Sequence, residues 1–473
     1  MSFATSIMME KLKVDFAVVG SGPAGQKGAI QAAKLGKKVV IIEKDVVPGG
    51  NCLNSGTIPS KSLREAIIDL SRYNERSFYG ASCLRDVTIN ELNYRLHTVL
   101  EGERAILLRQ FIKNKINFLK GTARFKSAHR LIILDDLGNA IYQIEAEKIL
   151  ISTGSQPRNP MHVPFDEKVI VDSTRLLSIG YVPRSVIVLG GGVIGSEYAS
   201  FMAALGCQVT VLDKKRRLLP GLDAEIGTHL QVGLKEIGLE FVPFSIPDKI
   251  ERRDNRAYVH CEDGSEYTAD LLLYALGREA SVKGMEIENV GVELNERGYI
   301  TVNSYFQTNV SHIYAAGDVI GFPALASTSM EQGRLAARHA FGVKTHPFPT
   351  LFPLGIYTIP EISCCGFTEE ELQAKKCHFE VGRAYYYEIA RSHIAGSSNL
   401  GLFKILFDAK SLDLLGVHIV GRNATEVIHI GQIAMSFGAK LDYFVNQVFN
   451  YPTFAEGYRI AALNGLNKVR RGQ

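Results

Sequence analysis

Residues 14–43 read VDFAVVGSGPAGQKGAIQAAKLGKKVVIIE, and this stretch decides the fold. A β-branched strand enters a G-x-G-x-x-G turn, an Ala-rich helical segment follows, and a second apolar strand ends at Glu43. Gly20 permits a tight turn, Gly22 leaves room for a pyrophosphate, and Gly25 lets helix and strand touch. The helix N-terminus then offers free N–H groups to phosphates, while Glu43 can accept hydrogen bonds from ribose hydroxyls. The stretch therefore predicts a dinucleotide-binding strand–helix–strand unit.

The same unit recurs at residues 185–213, which read SVIVLGGGVIGSEYASFMAALGCQVTVLD. Its turn carries Gly190, Gly192 and Gly195 at the same spacing, and its second strand ends at Asp213. This acid lies 23 residues after the first glycine of its turn, as the acid of the first copy does. Two matches with strand, turn, helix and acid in register predict two dinucleotide-binding folds in one chain.

The residues after Asp213 bear on which coenzyme the second fold takes. A carboxylate favours the free 2′-hydroxyl of NAD, because it repels the 2′-phosphate of NADP. The basic run Lys214-Lys215-Arg216-Arg217 follows at once, however, and arginine forks match phosphate geometry. We predict that the fold tolerates both coenzymes, with Arg216 and Arg217 as the candidates for the 2′-phosphate. The alternative is a solvated basic turn.

Composition and charge narrow the class of protein. The 473 residues are 46% hydrophobic, which predicts several domains with a sizeable core. A net charge of +4 is too small to suggest a nucleic-acid or membrane partner. The first ten residues carry no targeting pattern, and no segment approaches about 18 uninterrupted apolar residues. The seven cysteines are sparse and lack metal-ligand spacing, so we expect a cytoplasmic protein without a bound metal.

The rest of the chain alternates helical and strand patterns. Amphipathic periodicity predicts a helix at about residues 85–110, and short apolar runs predict strands within 117–150 and 256–275. Towards the C-terminus, the strand patterns FKILFD and LLGVHIVG alternate with helical patterns, TEVIHIGQIAMSF and the segment after Pro452. That alternation predicts a separate α+β domain.

The segment GGNCLNSGTIPSK at residues 49–61 resembles the redox motif of the pyridine-nucleotide disulfide oxidoreductases, which include glutathione reductase and dihydrolipoyl dehydrogenase. In that family two cysteines separated by four residues face the flavin. Here Cys52 keeps the first position and Thr57 occupies the second. Because a hydroxyl cannot form a disulfide, the resemblance predicts a flavoprotein that lacks the dithiol relay.

A second departure from the family pattern lies near the C-terminus. Where the family has His-Pro-Thr and a glutamate five residues after the histidine, this chain has Tyr451-Pro452-Thr453 and Glu456. Tyrosine has an unperturbed pKa about 3 units above that of histidine and is a poor proton shuttle near neutrality. Both departures together are similar to those of the soluble pyridine nucleotide transhydrogenases, over residues 12–468. The resemblance implies NADPH + NAD⁺ ⇌ NADP⁺ + NADH, with FAD as the intermediate carrier and ping-pong kinetics.

The resemblance also implies the fold class and the domains. We expect an α/β protein with two nested FAD/NAD(P)-binding Rossmann-like domains and a C-terminal α+β dimerisation domain. The FAD-binding domain takes residues 1–155 and 276–345, the NAD(P)-binding domain 156–275, and the dimerisation domain 346–473. The expected assembly is a homodimer or a larger homo-oligomer.

Individual site residues follow from the same resemblance. Lys61 matches the family lysine beside flavin N5, and Glu197 matches its ion-pair partner; these two are the expected catalytic residues. Asp318 would bind the ribitol chain, and a helix from about Leu325 would direct its N-terminal dipole at the flavin. The residues expected to bind the two dinucleotides are Gly20, Gly22, Gly25, Glu43, Gly50, Cys52, Thr57, Lys61, Ala123, Gly154, Gly190, Gly192, Gly195, Asp213, Arg216, Arg217, Gly277, Gly317 and Asp318.

Two alternatives stay open from the sequence. One is an NAD(P)H oxidase or quinone reductase of the same fold, which would deliver the electrons to dioxygen or a quinone. The other is a flavin-bearing sensor or scaffold that has lost its catalytic relay. Anaerobic reduction of NAD⁺ by NADPH separates the first from a transhydrogenase, and failure of NADPH to bleach the flavin would favour the second.

Overall fold

The computed structural model describes residues 9–73, 78, 87–397 and 401–471. The chain forms two compact units, and each combines separate stretches of sequence. The first unit is Met1–Ser62, Tyr94–Arg158 and Gly277–Pro349. The second unit is Leu63–Asn93, Asn159–Leu276 and Thr350–Gln473. The domain boundaries predicted above stay a prediction.

Helices and strands alternate along most of the chain. The helices are α1 (Pro23–Lys34), α2 (Gly50–Asn54), α3 (Thr57–Leu70), α4 (Ile89–Lys113), α5 (Ser173–Leu176), α6 (Val193–Ala204), α7 (Ala224–Glu236), α8 (Ala326–Ala340), α9 (Glu369–Ala374), α10 (Ala390–Ile394), α11 (Ala424–Ser436), α12 (Leu441–Asn446) and α13 (Glu456–Arg471). The strands are β1 (Glu10–Val19), β2 (Val39–Glu43), β3 (Asn117–Lys120), β4 (Thr122–Ser127), β5 (Arg130–Leu134), β6 (Ala140–Ile151), β7 (Ser155–Pro157), β8 (Ile170–Asp172), β9 (Ser185–Leu189), β10 (Gln208–Asp213), β11 (Leu239–Pro243), β12 (Pro247–Arg253), β13 (Arg256–Cys261), β14 (Glu266–Ala269), β15 (Leu271–Tyr274), β16 (Arg278–Ala280), β17 (Ile313–Ala315), β18 (Leu354–Ile356), β19 (Ile362–Gly366), β20 (Phe379–Tyr385), β21 (Leu402–Asp408) and β22 (Leu414–Val420).

The first unit is built on a seven-stranded sheet in the order β3-β2-β1-β6-β5-β4, with β17 also paired to β6. Strands β3, β2, β1, β6 and β17 run parallel, whereas β5 pairs antiparallel with both β6 and β4. Strand β1 lies between β2 and β6, so the chain leaves β1 where the strand order reverses. In open parallel sheets, ligands bind at the carboxyl ends of the strands at such a point.

Both faces of this sheet are covered. Phe16 and Val18 on one face of β1 pack with residues of α1, α4 and α8. Ala17 and Val19 on the other face pack with β4, β5 and β6. Since side chains alternate along a strand, a continuous apolar run such as β1 has to be buried on both sides.

The second unit also has a parallel sheet that is covered on both faces, and it contains a separate antiparallel sheet. Its five-stranded parallel sheet has the order β11-β10-β9-β15-β8. Val186 and Val188 of β9 pack with residues of α6 and α7, whereas Ile187 and Leu189 pack with the antiparallel strands β13 and β14. The residues after position 350 form an antiparallel sheet, β18-β19-β22-β21-β20, with α11 and α13 packed against it.

The elements predicted from the sequence are confirmed. The predicted helix near 85–110 is α4, the strands within 117–150 are β3 to β6, and those within 256–275 are β13 to β15. The C-terminal strand and helix patterns are β21, β22, α11 and α13. Within the described ranges, no helix combines the length and apolarity that crossing a bilayer requires.

Candidate functional site: two dinucleotide sites

The first glycine turn joins β1 to α1 and leaves its middle glycine open. Gly20 has φ +99°, and a Cβ atom there would lie 2.4 Å from the Ser152 carbonyl oxygen. A Cβ atom at Gly25 would lie 2.0 Å from the Gly20 carbonyl oxygen. At Gly22 a Cβ atom would meet nothing within 4 Å, and α1 begins there with neither a side-chain cap nor an acidic first turn. The helix N-terminus is therefore open to an anion.

Glu43 is buried and tied back to this turn. Its Oε2 accepts the Ser21 N–H at 2.9 Å and the Ser21 hydroxyl at 2.7 Å. The Ser21 hydroxyl oxygen in turn accepts the N–H of Gly49 at 2.8 Å. A Cβ atom at Gly50 would lie 2.9 Å from the Gly22 Cα, so the start of α2 lies against the turn. The end of β2 and the start of α2 thus converge on the open helix N-terminus.

Cys52 lies in α2, and Thr57 is the first residue of α3. Burial raises the pKa of Cys52, and the Thr57 hydrogen bond and the charge of Lys61 offset this effect only in part. A thiol with a raised pKa stays protonated near neutrality and is a weak nucleophile. The six cysteines in the described ranges are free thiols, while Cys83 falls outside those ranges.

Ser155 joins three parts of the first unit, a role that the sequence analysis missed. Its hydroxyl donates to Asp318 Oδ2 at 2.7 Å and accepts from Arg278 Nε at 2.8 Å. Its carbonyl oxygen accepts from Arg278 Nη2 at 2.8 Å and from the Asn51 side-chain amide. The network fixes Asp318 beside the residue that precedes Cys52. The only signal in the sequence was that Ser155 and Arg278 directly follow Gly154 and Gly277, two of the glycines expected to bind a dinucleotide.

Gly317 and Asp318, which are predicted to bind the flavin cofactor, precede α8, the helix predicted to begin at about Leu325. The N–H of Gly317 donates to the Gln332 Oε1 at 2.8 Å, and a Cβ atom at Gly333 would lie 2.0 Å from the Ala24 carbonyl oxygen. Helix α8 therefore packs backbone to backbone on α1. It begins at Ala326, close to the predicted Leu325, and has neither a side-chain cap nor an acidic residue in its first turn. A second uncapped helix N-terminus is thus present in this unit.

The remaining predicted residues of the first unit line its sheet edge and turns. Ala123 is buried in β4, and the N–H of nearby Gly121 donates to the Glu43 carbonyl oxygen at 2.8 Å. Gly154 has φ +72° and Gly277 has φ +113°, conformations that favour glycine. They lead into β7 and β16, which pair antiparallel. The hydroxyl of Thr153, beside Gly154, is buried without a hydrogen-bond partner in the described structure.

The second glycine turn has the same construction as the first. Gly190 has φ +106°, and a Cβ atom there would lie 2.7 Å from the Ala275 carbonyl oxygen. A Cβ atom at Gly195 would lie 1.8 Å from the Gly190 carbonyl oxygen. Gly192 is open, and α6 begins there without a side-chain cap or an acidic first turn. By contrast, the side chain of Asp223 caps α7, so other helices of this fold do have a side-chain cap.

Asp213 is held at the end of β10 by two backbone donors. Its Oδ2 accepts the Gly191 N–H at 2.6 Å, and its Oδ1 accepts the Lys215 N–H at 2.7 Å. These contacts aim the carboxylate at the glycine turn, as Glu43 is aimed in the first unit. The position suits a ribose contact.

The two arginines predicted to reach a 2′-phosphate differ in their surroundings. Arg216 is exposed and makes no hydrogen bond or ion pair within the described part of the chain. Arg217 donates to the carbonyl oxygens of Pro220 at 3.2 Å and Leu222 at 2.9 Å, and it lies 3.7 Å from Glu370 Oε1. Its guanidinium is therefore occupied by its own loop and by α9. Arg216 is therefore the remaining candidate for contact with the 2′-phosphate of NADP.

Glu197 lies on α6 and is only 4% exposed. Its Oε1 accepts the Tyr357 N–H at 2.8 Å, and the nearby Ser200 hydroxyl accepts the Ile359 N–H at 3.1 Å. Helix α6 thereby holds the segment GIYTIPEIS at residues 355–363. Lys61 belongs to the first unit and Glu197 to the second, so the pairing of the two stays a prediction.

Comparison with known proteins shows which family the chain belongs to. The model of the pyridine nucleotide-disulphide oxidoreductases matches residues 14–333, and that of their dimerisation domain matches residues 352–462. The chain belongs to this family. It is therefore an oxidoreductase that uses FAD and pyridine nucleotides, and the open helix N-termini at Gly22 and Gly192 fit the pyrophosphates of two dinucleotides.

Several relatives match over almost their full length. A soluble pyridine nucleotide transhydrogenase of Mycobacterium bovis (strain BCG / Pasteur 1173P2) is 44% identical over 96% of this chain and 98% of its own. One of Serratia proteamaculans (strain 568) is 41% identical over 98% of this chain and 100% of its own. Among solved structures, an HOCl-induced flavoprotein disulfide reductase of Escherichia coli is 26% identical, with a TM-score of 0.86 over 95% of this chain and 99% of its own. LpdA of Mycobacterium tuberculosis shares the fold, with 24% identity and a TM-score of 0.87 over 97% and 100% of the two chains.

Proposed function

We propose that this enzyme transfers hydride between NADPH and NAD⁺ through FAD, with ping-pong kinetics and without a redox-active disulfide. The observation that carries the proposal is the residue five positions after Cys52, which is Thr57 and not a second cysteine. Because this motif lacks the second cysteine of a dithiol relay, we take a second nicotinamide as the acceptor of the electrons. Relatives that carry the transhydrogenase name at 40–44% identity support the same reaction.

The first unit is proposed to hold FAD. The flavin accepts a hydride from one coenzyme and returns it to another, which is the chemistry that this cofactor supplies. The N-terminus of α1 receives the pyrophosphate at Gly22, Glu43 receives a ribose, and Asp318 receives the ribitol chain. Ser155 holds Asp318 in place through its 2.7 Å hydrogen bond. The N-terminus of α8 contributes a positive dipole end without a competing cap.

The second unit is proposed to bind either nicotinamide coenzyme at one site. Gly192 takes the pyrophosphate, and Asp213 takes the ribose of the adenosine. Arg216 takes the 2′-phosphate when the coenzyme is NADPH and stays in solvent when it is NADH. Since one site serves both coenzymes, the first product has to leave before the second substrate enters, which gives ping-pong kinetics.

Lys61 and Glu197 are proposed as the pair beside the reacting atoms. An ammonium held next to the isoalloxazine ring stabilises the negative charge that gathers there during hydride transfer. Within the second unit, the proposal is supported by the burial of Glu197 in α6, where its Oε1 accepts the Tyr357 N–H at 2.8 Å. Loss of either charge should therefore lower the rate of hydride transfer by a larger factor than it weakens coenzyme binding.

We further propose a cytoplasmic homodimer or larger homo-oligomer. The match of residues 352–462 to a dimerisation domain supports the assembly. The same region exposes large apolar side chains, among them Phe437, Val448 and Tyr451, which a partner subunit would cover. Free cysteines support a reducing compartment.

Anaerobic mixing of the FAD-loaded enzyme with NADPH and thio-NAD⁺ is expected to produce reduced thio-NAD without added quinone or thiol. Initial rates plotted as double reciprocals should give parallel lines, which is the pattern of a ping-pong reaction. Absence of thio-NAD reduction, with fast reduction of a quinone instead, would identify a quinone reductase. A flavin that NADPH does not bleach would indicate a non-catalytic flavoprotein.

Cys52→Ser is expected to lower the transhydrogenation rate by no more than a few-fold, because a thiol whose raised pKa keeps it protonated takes no part in electron transfer. The measurement is steady-state turnover per bound flavin, so that any loss of FAD is counted separately. Thiol alkylation of the wild type at neutral pH serves as a companion, and Cys52 should react slowly. An FAD-loaded variant that no longer transfers hydride would contradict the thiol-independent mechanism.

A further inference from the structure

The loop of residues 214–222, between Asp213 and Asp223, carries Arg216; we call it the coenzyme loop. Its first end is fixed near the glycine turn, where Asp213 accepts two backbone N–H groups and the Leu219 N–H donates to the Gly191 carbonyl oxygen at 2.8 Å. Leu219 adopts φ +49°, a left-handed conformation that a leucine rarely takes without surrounding constraint. The coenzyme loop is therefore held in one shape from the nucleotide-binding fold.

The second end of the coenzyme loop is held by residues more than 140 positions later in the chain. Glu370 Oε1 accepts the N–H of Ala224, 146 positions earlier in the chain, at 2.8 Å, and it lies 3.7 Å from Arg217 Nη1. Arg217 reaches back to the carbonyl oxygens of Pro220 and Leu222 within the loop. One carboxylate thus ties the start of α7 and the middle of the coenzyme loop to α9.

Asp223 strengthens the same attachment. It is fully buried, caps α7, and accepts the Glu369 N–H at 3.2 Å. The ammonium of Lys404, on β21, lies 2.9 Å from Asp223 Oδ2, 3.0 Å from Glu225 Oε2 and 2.5 Å from Glu369 Oε2. Burial alone raises the pKa of Asp223, but neighbouring His418 and Lys404, with hydrogen bonds, hold that pKa below its usual value. The α7 end of the loop is therefore fixed to the C-terminal sheet by a buried ion cluster.

We propose that Glu370 is a positioning residue for coenzyme recognition: by fixing Arg217, it holds the coenzyme loop so that Arg216 meets the 2′-phosphate of NADP(H). The inference rests on the proposed function, since it assigns the 2′-phosphate to Arg216. Arg217 stabilises the shape of the loop through its hydrogen bonds to Pro220 and Leu222 and does not contact the coenzyme. The C-terminal region thereby contributes to coenzyme choice without contributing a contact.

The proposal predicts that loss of Glu370 weakens the binding of NADP(H) but not the binding of NAD(H). Asp213 is held by Gly191 and Lys215, which do not depend on Glu370, so the ribose contact of NAD(H) should survive loss of this carboxylate. Arg216 lies between the two ends of the loop and is held by neither end alone. A loosened loop has to be ordered each time a 2′-phosphate binds, and that ordering lowers affinity for NADP(H) alone.

The test uses Glu370→Gln in the FAD-loaded enzyme, with adenosine 2′,5′-bisphosphate and AMP as probes in isothermal titration calorimetry. We expect about fivefold weaker binding of the bisphosphate and unchanged binding of AMP, the size that a lost charge-assisted contact of about 1 kcal/mol gives. In an Arg216→Gln background, Glu370→Gln should have no further effect on the bisphosphate. That non-additivity is the readout that a general loss of stability would not produce.

Glu371→Gln is the matched control. It removes the same charge from the neighbouring residue of α9, where Glu371 only completes the capping box with Thr368. It therefore reproduces any long-range effect on anion binding while leaving the coenzyme loop untouched. Bisphosphate affinity should match the wild type in this control.

Three outcomes would overturn the inference: tighter bisphosphate binding in Glu370→Gln, an equal effect on both probes, or additive effects with Arg216→Gln. Tighter binding would mean that the released Arg217 contacts the phosphate. A wild type that binds AMP but not the bisphosphate would also overturn it. If the bisphosphate results hold while thio-NAD⁺ is not reduced by NADPH, only the proposed reaction fails.

Discussion

Lys404→Met is expected to lower the free energy of unfolding by about 3–5 kcal/mol, because it leaves the buried carboxylate of Asp223 without its ammonium partner. The Lys404 side chain is 1% exposed and that of Asp223 is fully buried, so water cannot replace the lost ammonium. Methionine fills a similar volume, which separates the loss of charge from the creation of a cavity. The same mutation removes the attachment of α7 to β21.

Chemical denaturation of the FAD-loaded protein measures this effect. Lys440→Met provides the control, since Lys440 is 53% exposed and lies 4.0 Å from Asp413; a change of about 0.5 kcal/mol or less is expected there. Adding Asp223→Asn to Lys404→Met should recover part of the lost stability, because one unpaired charge is removed. Equal stability of Lys404→Met and the wild type would contradict the importance of the cluster.

The pH dependence of this difference follows from two pKa shifts. The pKa of Asp223 is lowered in the folded protein, so its contribution is present above its unfolded value, about 3.8, and is lost as the pH falls through the folded value. Burial lowers the pKa of Lys404, but Glu369 and Asp223 outweigh this effect and raise the pKa above its ordinary value of 10.5. Its contribution is therefore lost only as the pH rises through that higher value. The gap between the wild type and Lys404→Met should be widest between these limits.

Gly25→Ala and Gly22→Ala are expected to fail in different ways. A Cβ atom at Gly25 would lie 2.0 Å from the Gly20 carbonyl oxygen and 2.6 Å from Ser152 Oγ, so the backbone has to move, at a cost of about 3 kcal/mol. At Gly22, φ is −66° and a Cβ atom meets nothing within 4 Å. Gly22→Ala should therefore fold normally, but its methyl group occupies the space proposed for the FAD pyrophosphate, and we expect at least about tenfold weaker FAD binding.

Thermal unfolding of the apoprotein and fluorescence titration with FAD separate the two effects. Gly22→Ala should match the wild-type apoprotein in Tm and differ in FAD affinity, whereas Gly25→Ala should unfold at a lower temperature before any cofactor is added. Wild-type FAD affinity in Gly22→Ala would place the pyrophosphate elsewhere. The pair Gly192 and Gly195 offers the same experiment for the second coenzyme, since a Cβ atom is open at the first and 1.8 Å from a carbonyl oxygen at the second.

Much of the fold was predictable because its signals are local. Glycine spacing, strand periodicity and the acids Glu43 and Asp213 are read within about 30 residues, and the structure places each in the expected element. The substitution of Thr57 for a cysteine is likewise visible in one short motif. Helix α8 begins within one residue of its predicted start.

By itself, the sequence determined two glycine turns, their strands and helices, and the chemistry missing beside Cys52, because covalent neighbours and backbone sterics set these features. Only the tertiary structure decided that Ser155 connects Asp318 to Arg278, that Arg217 contacts its own loop and Glu370 whereas Arg216 has no such contact within the described residues, and that Lys404 is buried among carboxylates. In the sequence Lys404 is one more lysine within an apolar strand pattern, FKILFD. Its partners lie up to 181 positions away, and a charge becomes energetically important only where packing excludes water.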